Sequence, residues 1–304
     1  MKKYSGEIGL IVVAIIWGSG FVGTQLALDG GLTSLQIITL RFFIASVILN
    51  ILFFKRIKEN INKKVLKSGF LLGIFLFLSF WVQTVGLVYT TASKNAFITA
   101  ANVVIVPFIG YFIFKRKLDK FGMASSLIAL IGIGILSLEA DFSVNIGDLL
   151  TLVCAFGFAF HIFFTSEFAR DNDPIVLTVV QFFVAFLLSF IVQMLTGEMK
   201  LEAQLGGYLG MLHLAIFSTT IGFLTQTVCQ KKVDGTKTAI ILSTEAVFGT
   251  IFSIIILKEA LTLKLIIGSI LIFVAIIISE TKLSFLKKEE KVDNIYGNSN
   301  VENI

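Results

Sequence analysis

The chain has 304 residues, 56% of them hydrophobic and only 15% charged, with a mean hydropathy of +0.92 and a formal net charge of +5. So little charge cannot cover a water-soluble protein of this length, and apolar runs of 18 residues or more recur throughout, which excludes a soluble enzyme and a disordered chain. The basic excess lies between the apolar runs, not on a separate domain, so it reads as a topology signal rather than a nucleic-acid surface.

Spans of about 20 residues, long enough at ~1.5 Å per residue to cross a bilayer core, are predicted at 7–28, 34–54, 68–89, 94–114 and 121–139. Five more follow at 147–168, 174–196, 207–230, 236–257 and 263–281. The first is not read as a signal peptide. Its apolar run from Ile8 to Leu28 exceeds the core of a usual leader, and no small-residue cleavage site is followed by a soluble domain. Cys154 and Cys229 both fall inside apolar spans, so no disulfide framework is expected. Residues 282–304, rich in Lys, Glu and Asn, read as a disordered cytoplasmic tail.

Basic residues set the orientation. With the N-terminus in the cytoplasm, 20 of the 25 lysines and arginines fall on the inner side, among them Lys55, Arg56, Lys58, Lys63, Lys64 and Lys67. Lys94, Lys200, Lys258 and Lys264 fall outside, and Arg41 lies within a span. The positive-inside rule therefore predicts a multi-pass protein of the cell membrane with both termini cytoplasmic.

The chain also repeats itself. A shift of 143 residues lays Phe80, Gln83 and Thr84 on Phe223, Gln226 and Thr227, then Lys94 on Lys237, Asn102 on Glu245 and Lys115 on Lys258. A shift of 140 lays Arg41–Ala45 on Gln181–Ala185, and one of 141 lays Gly6, Glu7 and Ala14 on Gly147, Asp148 and Ala155. The expected fold is thus all-α and integral to the membrane: ten transmembrane helices in two five-helix repeats, 1–140 and 141–281. Because five is odd, the second copy enters the membrane the other way up, and such inverted repeats build two similar gates around one central site.

The stretches WGSGF at 17–21, LRFFIA at 40–45, NAFITAANVVIVP at 95–107 and STEAVFGTIFSIIILKE at 243–259 resemble motifs of the EamA-type drug/metabolite transporters. The resemblance spans about residues 6–281 and implies ten helices, a central cavity, cytoplasmic termini and transport of small metabolites. In one departure, Ala246 stands where the family often has proline after the glutamate.

Glu245 is the only acidic residue deep in a span, where a carboxylate is costly and usually faces a wet cavity. It is the candidate proton-coupling residue, against a reading in which it is permanently paired and only holds helices together. Its repeat mate, Asn102, is polar but not ionisable. By helical rise, Arg41 and Glu245 lie at similar depth, so an Arg41–Glu245 pair is one expectation and a snorkelling Arg41 the other. Gln83, Gln226, Thr99 and Asn102 would supply uncharged hydrogen bonds to a substrate or between helices. Trp17, Phe80 and Trp81 would give the cavity aromatic walls suited to an aromatic, aliphatic or organic-cation substrate, with packing as the alternative role. His161 is either a proton shuttle or a hydrogen-bonded packing residue.

With His213, His161 makes too few histidines for a metal site, and no phosphate-binding loop, nucleophile elbow or paired-cysteine motif is present. No catalytic residue, metal or cofactor is expected, and an enzyme is disfavoured. The sequence reading is a secondary transporter of small organic metabolites such as amino acids, in the export direction, with proton exchange at Glu245. A lipid-linked carrier or flippase on the same fold is the alternative. Its partners would be a small-molecule substrate and the lipid bilayer, not nucleic acid, and a homodimer is compatible with this reading.

Overall fold

The computed structural model describes residues 5–115, 120–137, 144–233, 238 and 241–281. The expected tail 282–304 and the repeat match at Lys237 lie outside them. Helices α1 (Ser5–Asp29), α2 (Ser34–Asn60) and α3 (Lys63–Tyr89) are followed by a pair, α4 (Ala92–Ala100) and α5 (Asn102–Phe114), and by α6 (Lys120–Ser137). Next come α7 (Ile146–Asp171), α8 (Pro174–Thr196) and α9 (Leu205–His213). The last of these runs through a π-helical stretch, Leu214–Phe223, into α10 (Leu224–Gln230). Finally α11 (Glu245–Phe252) ends in a π turn, Ser253–Leu257, and α12 covers Leu263–Thr281. Among the described residues seven helical stretches are long and apolar enough to cross a membrane, and three shorter apolar ones accompany them. This is an all-α membrane protein.

Helix starts follow local chemistry. Thr33 and Gln36 form a capping box on α2, the Asn62 side chain accepts from the N–H groups of Lys64 and Val65, and Asp173 caps α8 with Pro174 in its first turn. Such caps satisfy N–H groups that an α-helix leaves without internal partners.

Burial is reversed relative to a soluble protein. Arg41, Asp148, His161 and Glu245 are all buried, whereas Ile8, Ile51, Phe70, Phe112, Leu127 and Leu195 are exposed. A surface so rich in large aliphatic and aromatic side chains is stable against lipid and not against water.

Two helices are broken at matching places. Ala101 (φ −61°, ψ −11°) separates α4 from α5, and Thr244 (φ −66°, ψ −11°) stands before α11. Each gives its N–H to the carbonyl three residues back, Ala101 to Ile98 and Thr244 to Ile241, both at 3.2 Å. This is one tight 3₁₀ step inserted in an α-helix. The next residue is Asn102 in one case and Glu245 in the other. Further on, Lys115 (φ 53°) and Lys258 (φ 58°) end their helices in the left-handed conformation. The break therefore needs no proline, and Ala246 does not prevent it.

The principal contacts of α3 are with α7 and α8, those of α2 with α8 and the π-helical stretch, and those of α6 with α12. Helix α1 packs on α9 to α10 and on α11, α7 on α4 and α5, and α4 on α11. Glycines set the closest approaches. A Cβ on Gly30 would lie 2.4 Å from Gly207 Cα, and one on Gly18 would lie 2.8 Å from Gly249 N and 3.0 Å from the Glu245 carbonyl oxygen. Small residues at such seams let helices meet backbone to backbone.

Candidate functional site

The helices enclose a cavity of ≈ 680 Å³, counting its open mouth. Its wall draws on Trp17 and Phe21 of α1, Phe80 and Gln83 of α3, Thr99 of α4, Asn102 of α5, and Phe158 and His161 of α7. Phe223 of the π-helical stretch, Gln226 of α10 and Glu245 of α11 complete it.

Glu245 is 7% exposed and makes no hydrogen bond or ion pair among the described residues. The helix break places it in the first turn of α11, on the wall of this cavity. An unpaired carboxylate removed from lipid and lining a cavity is the arrangement expected of a functional acid.

Arg41 lines the same cavity but does not pair with Glu245. Its Nε donates to Thr219 Oγ1 at 2.8 Å, and its Cζ sits 4.1 Å from the Phe80 ring centroid, within cation–π range. Thr219 belongs to the π-helical stretch. The Ser218 carbonyl of the same stretch accepts the Trp17 indole N–H at 3.0 Å, and Trp17 packs 4.7 Å from Phe223.

The uncharged polar residues divide into committed and uncommitted groups. Gln83 Nε2 donates to Thr99 Oγ1 at 3.0 Å, and His161 Nε2 meets Gln181 Oε1 at 2.8 Å. Both side-chain polar atoms of Gln226, and Asn102 Oδ1, are buried without a partner. A buried amide left without a hydrogen bond is costly, so the unpartnered amide atoms of Gln226 and Asn102 favour a polar ligand in the cavity they line.

Of the sequence candidates, Trp17, Arg41, Phe80, Gln83, Thr99, Asn102, His161, Gln226 and Glu245 line the cavity. Trp81 does not. One residue beyond Phe80, it is turned about 100° round the helix and stacks on Phe77 with centroids 5.5 Å apart. Sequence reasoning did not single out Phe158, Phe223, Ser218, Thr219 or Leu242. The repeat could have found several of them, because applying the shifts of 141 and 143 to the candidates reaches Phe158 from Trp17, Phe223 from Phe80 and Leu242 from Thr99. No group of His, Cys, Asp or Glu suited to a metal occurs among the described residues.

The family model described as EamA-like transporter family matches this chain twice, over residues 4–138 and 145–281. The chain is 37% identical over 278 residues to an uncharacterized transporter of Archaeoglobus fulgidus, covering 91% of this chain and 86% of that protein. It is 24% identical to the uncharacterized transporter YoaV of Bacillus subtilis, over 87% and 93% of the two chains. A solved crystal structure with 17% identity shares the fold with a TM-score of 0.69, over 93% of this chain and 99% of that one. The mainly apolar cavity with its few polar groups, inside a helical shell of exposed apolar side chains, thus belongs to a membrane transporter rather than an enzyme, and the chain is a member of the EamA-like transporter family.

Proposed function

We propose that the protein is a secondary transporter that exports small organic metabolites such as amino acids by alternating access, with proton exchange at Glu245. In this reading ten membrane passes form two inverted five-helix repeats, and both termini are cytoplasmic. The observation that carries it is the make-up of the cavity wall. Seven repeat pairs line it together: Trp17 with Phe158, Gly20 with His161, Phe21 with Ile162, Phe80 with Phe223, Gln83 with Gln226, Thr99 with Leu242, and Asn102 with Glu245. A site built from both members of so many pairs lies where two copies meet, which is where repeat-built transporters hold their substrates.

The helix contacts support the same reading. Exchanging the halves turns the α3–α7 contact into α1 with α9 to α10, and the α3–α8 contact into α2 with the π-helical stretch. It turns α1–α11 into α7 with α4 and α5, and maps α2–α8 and α6–α12 onto themselves.

Glu245 gives this scaffold a coupling chemistry. As a carboxylate it attracts the ammonium of an amino acid, and once protonated it no longer does, so proton entry and substrate exit drive one another. In proteoliposomes carrying an imposed pH gradient and loaded with the common L-amino acids, the native protein should release one or more of them as protons enter. Glu245→Gln should stop this release while leaving a folded protein. Unchanged proton-driven release by that variant would refute the assignment.

A further inference from the structure

We infer that Arg41 recognises an anionic group, a carboxylate, on the substrate, and that it does so in one access state only, with neutral Gln181 in its place in the other. This rests on the repeat and transport reading above. Arg41 is 2% exposed and has no acidic partner among the described residues. Its one hydrogen bond among the described residues engages Nε, which leaves both Nη groups without an acceptor among them on the wall of the cavity. A guanidinium carries five N–H donors in a planar fork that matches a carboxylate. A buried, unpaired cation is costly, and a charged ligand that completes it is bound correspondingly well.

The asymmetry of the cavity supplies the second part. Six lining residues fall outside the seven matched pairs: Val103 and Ser243 lie beside the helix breaks, and Thr24, Arg41, Leu214 and Ser218 lie nearer the end of the molecule that carries the α1–α2 and α8–α9 turns. The repeat mates of the last four are Thr165, Gln181, Leu71 and Phe75, nearer the lysine-rich end, and none of these lines the cavity. Thr165 and Gln181 are 0% exposed, Gln181 holds His161, and Phe75 stacks on Phe160 and Phe164 at 5.4 and 5.9 Å. The cavity is extended on the Arg41 side and shut on the Gln181 side. When the halves exchange roles, Gln181 enters the wall and Arg41 leaves it. A carboxylate then trades a charged fork for a single neutral amide, so its affinity differs between the two faces.

The test begins with the purified protein and two probe pairs, L-leucine with isoamylamine and L-phenylalanine with 2-phenylethylamine, scored by thermal stabilisation. Each amino acid should bind roughly tenfold more tightly than its amine, and Arg41→Gln should erase that ratio, with Arg41→Lys restoring part of it. In proteoliposomes of checked orientation, the half-saturation concentration of the amino acid should then be about tenfold lower at the Arg41 face than at the lysine-rich face. The amine should show no such difference. A ratio unchanged in Arg41→Gln, no stabilisation by either amino acid, or equal half-saturation at the two faces would overturn the inference. Binding without flux would instead count against the transport reading.

Discussion

The segments Ala92–Phe114 and Ile241–Leu257 are alike in backbone and unlike in chemistry. Each breaks at a residue with ψ −11°, at Ala101 or Thr244, and each ends at a lysine in the left-handed conformation. Directly after the break one presents an amide, Asn102, and the other a carboxylate, Glu245. The same contrast separates Gln181 from Arg41. It also separates the stacked phenylalanines Phe75, Phe160 and Phe164 from the small residues Ser218, Ser19 and Gly23 that hold the matching places. The shared geometry builds the cavity, and the differences decide what each half does in it.

The largest effect expected from breaking this contrast is at Glu245. Moving the carboxylate to the other half, with Asn102→Glu and Glu245→Asn combined, should restore part of the proton-driven flux that Glu245→Asn alone abolishes. Flux in proteoliposomes checks this, and no recovery would show that the two positions are not equivalent.

A second test concerns the close seam beside Glu245. Gly18→Val adds atoms where a Cβ already lies 2.8 Å from a backbone nitrogen. Overpacking of this kind costs about 1–3 kcal/mol, so the melting temperature in detergent should fall. At Gly134, where an added Cβ meets nothing within 4 Å, Ala should leave it nearly unchanged.

The smallest effect is expected at the lysine-rich end. Arg56 Nη2 meets Asp173 Oδ2 at 2.7 Å, and Asp173 Oδ1 accepts from the N–H groups of Ile175 and Val176. Burial works to raise the Asp173 carboxyl, but the Arg56 hydrogen bond and charge and the two N–H groups outweigh it, so it lies below its ordinary value of 3.8. A depressed carboxyl contributes stability that is fully present above its unfolded value and lost as the pH falls through the lower folded one. Asp173→Ala should therefore cost about 1 kcal/mol at neutral pH, and the difference from the native protein should shrink below about pH 4. Thermal melts across pH check both.

Much of this was legible in the sequence, because a membrane leaves few ways to satisfy a backbone and helical spans announce themselves by length and hydropathy. The carboxylate at Glu245 stood out for the same reason. The helix breaks were not legible, since Ala101 and Thr244 carry none of the usual breaking chemistry and reveal themselves only as equivalent places in two copies. Nor was the π-helical stretch, whose residues read as an ordinary apolar helix although its Ser218 and Thr219 hold Trp17 and Arg41. Depth along the bilayer normal was estimated well enough to put Arg41 and Glu245 at one cavity. Rise per residue says nothing about which way a long side chain leans, however, and Arg41 leans to Thr219.

The most direct measurement of the central claim is proton movement itself. Proteoliposomes containing a trapped pH-sensitive dye and loaded with the common L-amino acids would be placed in amino-acid-free buffer at equal internal and external pH. The account predicts acidification of the lumen as the amino acids leave, and no acidification with Glu245→Gln. Acidification of equal rate in both proteins would contradict it.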